Sequence, residues 1–137
     1  MNKIKYDSDL IRLITLFESM TGAKVKDCIP NEKLVFVVEE NEMGKAIGRN
    51  GSNIRRIENK LKKRIKLVEF NNDVLQFMKN FIYPIEVEDV KQEGRRITIY
   101  EKDTGTKAML IGRERQNINH ISDIVKRYFD VEEIKVV

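Results

Sequence analysis

The 137-residue chain has no tryptophan, one cysteine, one histidine and two prolines. A lone cysteine, Cys28, excludes an internal disulfide and fits a reducing compartment, so a cytoplasmic location is expected. Flanked by Asp27 and Ile29 and far in sequence from the histidine, Cys28 reads as a buried strand thiol rather than a nucleophile. His120 has neither a cysteine partner nor a spaced set of carboxylates, so no metal site is expected and the residue reads as an exposed helical histidine. A P-loop, a GxGxxG following a strand and an HExxH helix are all missing. With no catalytic constellation, the expectation is a protein that is not an enzyme and has no cofactor or small-molecule substrate. No apolar run approaches bilayer length and no signal-peptide pattern opens the chain, so a membrane partner is not expected.

The sequence does hold a folded core and a lopsided charge distribution. Hydrophobic residues make up 41% of the chain, so the 35% that is charged reads as surface rather than disorder. The length suits one ordinary domain or two small ones. The net charge of +4 is unevenly spread: residues 1–70 carry 15 Lys/Arg against 10 Asp/Glu, and residues 71–137 carry 11 against 12. Nine basic residues lie between Lys45 and Lys66, with Glu58 the one acid among them. Such a block either solvates a face or meets a polyanion. The cluster Glu39, Glu40 and Glu42 ahead of it reads as the solvated end of a strand.

An internal repeat organises the rest. A shift of 64 residues carries Ile47, Gly48, Arg49, Asn53, Ile54 and Ile57 onto Ile111, Gly112, Arg113, Asn117, Ile118 and Ile121. It also carries Leu10, Leu13, Ile14 and Phe17 onto Val74, Phe77, Met78 and Phe81, apolar positions at helical spacing. Ser8 and Asn72 precede these helices in register as expected N-caps.

Each half therefore reads as helix, two strands, helix, loop, helix, strand. In the first half the expected elements are a helix from Ser8 to Thr21 and a hairpin of Ala23–Ile29 with Leu34–Val38. A short helix from about Glu42, a longer one from Ser52 to about Lys63, and a strand Ile65–Phe70 follow. The second half predicts a helix from Asp73 to Ile82, strands at Ile85–Val90 and Arg96–Tyr100, helices near Thr106–Ile111 and Gln116–Phe129, and a strand Val131–Val137. The fold class expected is α+β: two domains, 1–70 and 71–137, each α-β-β-α-α-β with a three-stranded sheet packed against helices. Asn71-Asn72-Asp73 is too short and too polar for a flexible linker, so the domains are expected to form one stiff surface.

The two loops carry the chemistry. Gly48-Arg49-Asn50-Gly51 lies between two helices, where loop amides and the following helix N-terminus favour an anion. The bare glycines let a sugar-phosphate chain approach the backbone. Arg49, Arg55 and Arg56 add phosphate-directed charge, and Ile47 and Ile54 bracket the turn as the floor of a groove. An isolated GxxG is more often a structural turn, and the surrounding helices and arginines are what favour the anion. With Phe17, Phe36, Phe77 and Phe81 at core positions, base stacking on aromatic side chains is not the expected binding mode.

The motif running from Gly44-Lys45-Ala46-Ile47-Gly48-Arg49-Asn50-Gly51 through Ser52-Asn53-Ile54-Arg55-Arg56 resembles the KH family. There a GxxG loop between two helices clamps about four nucleotides of single-stranded RNA or DNA. The helix-first order is similar to the prokaryotic, type II arrangement, and a tandem pair resembles the archaeal NusA-like transcription factors. That resemblance implies single-stranded RNA as ligand, a role in transcription termination or elongation, and RNA polymerase as a partner. A KH protein of ribosome assembly and a protein-interaction adaptor are the competing readings.

The second copy departs from the motif. In Gly112-Arg113-Glu114-Arg115, Arg115 replaces the second glycine, Glu114 adds negative charge, and Asn119 and His120 stand where the first copy has Arg55 and Arg56. Either this loop has become structural, or Arg113 and Arg115 reach phosphate through their side chains. The first loop is expected to dominate.

Overall fold

The structure, a computed structural model, describes residues 8–137. The first seven positions of the expected first domain lie outside the described residues; Ser8, expected as an N-cap, is the first helical residue described. The chain divides into two compact units after Asn71.

The first unit runs α1 (Ser8–Thr21), β1 (Val25–Ile29), β2 (Leu34–Val38), α2 (Met43–Ile47), a single 3-10 turn (Arg49–Gly51), α3 (Ser52–Leu61) and β3 (Ile65–Glu69). Leu10, Leu13, Ile14 and Phe17 recur at helical spacing along α1 and pack on the core. The helix stops at Gly22, whose N–H donates to the Glu18 carbonyl at 2.8 Å. The sheet has the order β1-β2-β3, with β1 antiparallel and β3 parallel to the central strand. The uninterrupted apolar run of β2 fits this place: all five residues are buried. Phe36 stacks on Phe17 with ring centroids 4.3 Å apart, within a cluster that includes Ala46 and Ile57. Phe17, Phe36 and Ile57 are each at most 1% exposed, and burying side chains of this size contributes roughly 1.5–3 kcal/mol apiece. Cys28 is buried in β1.

The second unit repeats the order with α4 (Val74–Ile82), β4 (Asp89–Glu93), β5 (Arg96–Tyr100), α5 (Thr104–Ile111), a 3-10 turn (Arg113–Arg115), α6 (Gln116–Tyr128) and β6 (Glu133–Val136). Its sheet is likewise β4-β5-β6, antiparallel and then parallel. Phe77 packs between Phe81, Tyr128 and Phe129, with centroids 5.7–6.3 Å apart. All four phenylalanines assigned to the core are buried.

Three local expectations are corrected. Asp73, not Asn72, caps α4: its backbone is extended and its carboxylate accepts from the Leu75 N–H at 3.2 Å. The strand expected at Ile85–Val90 lies instead at Asp89–Glu93. A two-residue turn at Gly94-Arg95 sets Glu93 opposite Arg96, and that turn, not the apolar residues upstream, fixes the register. His120 is half-buried rather than exposed, its ring edge-on to Phe81 at 5.8 Å.

Candidate nucleic-acid interface

The first loop is a tight turn between α2 and α3. Glu42 anchors its near side. Rather than merely solvating a strand end, Glu42 accepts the Lys24 N–H at 2.7 Å and lies 3.5 Å from Lys45. The backbone hydrogen bond first, and Lys45 with it, hold its carboxyl below the usual carboxylate range. α2 ends at Gly48, with φ 75° and ψ 172°; its N–H donates to the Gly44 carbonyl at 3.0 Å. This is a region of backbone space that essentially glycine alone occupies. Asn50 and Gly51 follow in left-handed conformations, at φ 54° and 73°.

Two of the turn's amides are spent internally. Gly51 N–H donates to the Gly48 carbonyl at 3.2 Å, and Ser52 N–H donates to Arg49. Among the described residues, the Arg49 and Asn50 amides are the turn's remaining donors for an incoming anion. Both residues are exposed. Arg55 folds back, its Nη1 donating to the Asn50 carbonyl at 2.6 Å, and so carries its charge onto the loop itself. Arg56 is exposed, with Nη1 3.4 Å from Asn53 Oδ1. Ile47 is 36% exposed at the mouth of the turn, while Ile54 is half-buried against the core. Arg49, Asn50, Arg55 and Arg56 are thus all exposed, along with one open apolar side chain, Ile47.

Asn53 was not singled out as a site residue from the sequence, yet it shapes the turn. Its Nδ2 donates to the Lys45 carbonyl at 2.7 Å, tying the start of α3 to the last turn of α2. The amide lies flat against Gly48: a Cβ there would sit 2.7 Å from Asn53 Cγ and 2.9 Å from its backbone N. The signal was available, since Asn53 recurs as Asn117 under the 64-residue shift.

The second loop keeps the same backbone. Gly112 has φ 74° and ψ 170°, Glu114 φ 54° and ψ 31°, and Arg115 φ 63° and ψ 20°. Asn117 Nδ2 donates to the Met109 carbonyl at 2.7 Å, and a Cβ on Gly112 would meet Asn117 Cγ at 2.7 Å. Shape is therefore retained, whereas chemistry is not. Arg115 places a side chain where Gly51 has none, Glu114 stands exposed at the Asn50 position, and Met109 is 54% exposed where the first copy has Lys45. Arg113 and Arg115 are exposed. Beneath the loop Ile118 is 2% exposed, and so it belongs to the core rather than to a groove.

Among the described residues no group of His, Cys, Asp and Glu is arranged to hold a metal ion, and no helix is long and apolar enough to cross a membrane.

Comparison with known proteins places this geometry. A family description of the KH domain matches residues 12–74, which contain the first loop. A protein of Methanococcus vannielii named probable transcription termination protein NusA is 41% identical over 98% of this chain and 80% of its own length. The like-named protein of Methanocaldococcus jannaschii is 29% identical, covering 100% of this chain and 77% of its own. The crystal structure of APE1850 matches with a TM-score of 0.72 at 28% identity, over 96% of this chain and 99% of that one.

Proposed function

The chain belongs to the archaeal family whose members are named probable transcription termination protein NusA, and from that membership we propose that it binds single-stranded RNA during transcription termination or elongation. The reading extends to the architecture: the second unit is a second type II KH domain. RNA polymerase is the partner the family name favours.

The first loop grips the RNA backbone. One observation carries this: Gly48 and Gly51 leave bare backbone in a turn whose Arg49 and Asn50 side chains are exposed and onto which the Arg55 guanidinium folds. A phosphate there meets two N–H donors and charge-assisted hydrogen bonds without a side chain in its path. Ile47 and Ile54 line the groove for bases, and Arg56 serves the next phosphate. The second loop contributes less, through Gly112, Arg113 and Arg115, because Glu114 repels phosphate and Arg115 obstructs the close approach.

The paired variant Arg49→Asp with Asn50→Asp tests the ranking. It is expected to abolish binding of a single-stranded RNA pool while leaving the fold intact, since both side chains are exposed. The equivalent pair, Arg113→Asp with Glu114→Asp, should cost less. Equal losses from the two pairs would overturn the ranking, and full binding by the first pair would overturn the loop's role. Sequencing RNA crosslinked to the protein in cells separates the biology: enrichment at transcript 3′ ends is expected, and enrichment on ribosomal RNA precursors would favour ribosome assembly instead.

A further inference from the structure

A second concentration of positive charge lies at the other end of α3. Leu34 pairs with Ile65 and its N–H donates to the Arg64 carbonyl at 3.1 Å. This brings the tip of the β1–β2 hairpin, with Lys33, beside the Lys62-Lys63-Arg64 segment. Lys33, Lys62, Lys63 and Arg64 are exposed, and Lys66 is half-buried next to them. Burial first, then the neighbouring Lys33 charge, push the Lys66 ammonium below its ordinary pKa. Lys62 holds φ 57° and ψ 39°, a left-handed cap that glycine or asparagine usually supplies. Arg64 reaches Glu58 at 3.7 Å.

The second unit shows what the fold asks for at this position. There Arg96 lies opposite Glu133, as Leu34 lies opposite Ile65. Arg95 is paired with Asp130 at 2.9 Å, and Arg96 with Glu132 and Glu133, each at 3.8 Å. In the second unit both arginines at this corner are paired with acids, whereas in the first Lys33, Lys62, Lys63, Arg64 and Lys66 outnumber the acids there, Glu58 beside Arg64 and Glu32 in the hairpin tip. Since neutral pairing satisfies the architecture, the crowding in the first unit points to an anionic ligand.

We propose that Lys33, Lys62, Lys63 and Arg64 form a second phosphate-binding patch on the first unit, for nucleotides of the same RNA strand beyond those held by the loop. The proposal rests on the RNA-binding reading above. α3, ten residues long, separates the two sites by about 15 Å, so a tetranucleotide centred on the loop meets the patch with one end at most, whereas a longer strand spans both.

The test uses the full chain with two probes: a tetranucleotide, and a single strand of about twelve nucleotides. The triple variant Lys33→Gln, Lys62→Asn, Lys63→Gln removes three charges and puts a residue suited to the left-handed position at 62. Lys102→Gln, Lys126→Gln, Lys135→Gln removes the same charge from the second unit. For the long strand, the patch variant is expected to flatten the slope of log K against log salt by about 2, from three contacts of about 0.7 each. The tetranucleotide's slope should flatten by less, and the control variant should alter neither probe's slope as much. An unchanged long-strand slope, or an equal change in the control, would overturn the patch; the cations would then serve an acidic protein surface or only solvation. Loss of the patch effect is distinguishable from failure of the loop reading, which shows as tetranucleotide binding that survives Arg49→Asp with Asn50→Asp.

Discussion

At Gly48 the backbone adopts φ 75° and ψ 172° with the Asn53 amide packed against it, so two separate penalties attend any side chain. The dihedral alone costs on the order of 1–3 kcal/mol for a residue with a Cβ, and the contact at 2.7 Å adds to it. At Gly51 a Cβ would meet only the movable Nη1 of Arg55, at 3.3 Å, in an ordinary left-handed conformation costing roughly 1 kcal/mol. Gly48→Ala should therefore destabilise the first unit more than Gly51→Ala in denaturant unfolding; the reverse order would contradict the clamp by Asn53. Cys28 makes a prediction about pH. Burial, then the adjacent Asp27 charge, push its thiol from 9.0 up to about 12. The unfolded chain ionises this thiol near 9 while the folded chain keeps its proton, so folding stability falls as pH rises between those values. Relative to Cys28→Ala, the wild type should lose stability from about pH 9 upward; parallel pH profiles would show that the thiol is not held protonated. Both residues were found from sequence, but the reason Gly48 must be glycine needed the position of Asn53.

Among the elements, helices were more legible than strands. Apolar residues at helical spacing marked α1, α4 and α6 to within a residue or two at their described ends. β4 was misplaced because Lys91, Gln92 and Glu93 carry no apolar signal; the Gly94-Arg95 turn and pairing with β5 make them a strand. The loop elements repeat faithfully: both turns share dihedrals to within about ten degrees, so Arg115 inherits a conformation that suits Gly51. Arg115→Gly should relieve that strain, raising second-unit stability by up to about 1 kcal/mol after the greater chain entropy of glycine is subtracted. A lower unfolding midpoint would mean that the Arg115 side chain makes a stabilising contact worth more than the strain.

For the whole molecule, charge is the property that most directly reports on function. If the first loop and its arginines hold RNA, log K should fall linearly with log salt, with a slope of about −2 or steeper from Arg49, Arg55 and Arg56. An affinity indifferent to salt would remove the electrostatic basis of the proposal. The sequence by itself determined the α+β class, the duplicated element order, the two loops and the basic bias of the first half, because periodicity, glycine spacing and charge are local or additive properties of the chain. Tertiary structure alone decided three things: that Asn53 and Asn117 lock both turns, that Glu42 ties α2 to the Lys24 backbone, and that Lys33 meets Lys62–Arg64 in one unit where acids meet Arg95 and Arg96 in the other. The last of these joins residues that are distant along the chain and depends on parallel pairing of β2 with β3 and of β5 with β6, a register that no local pattern encodes.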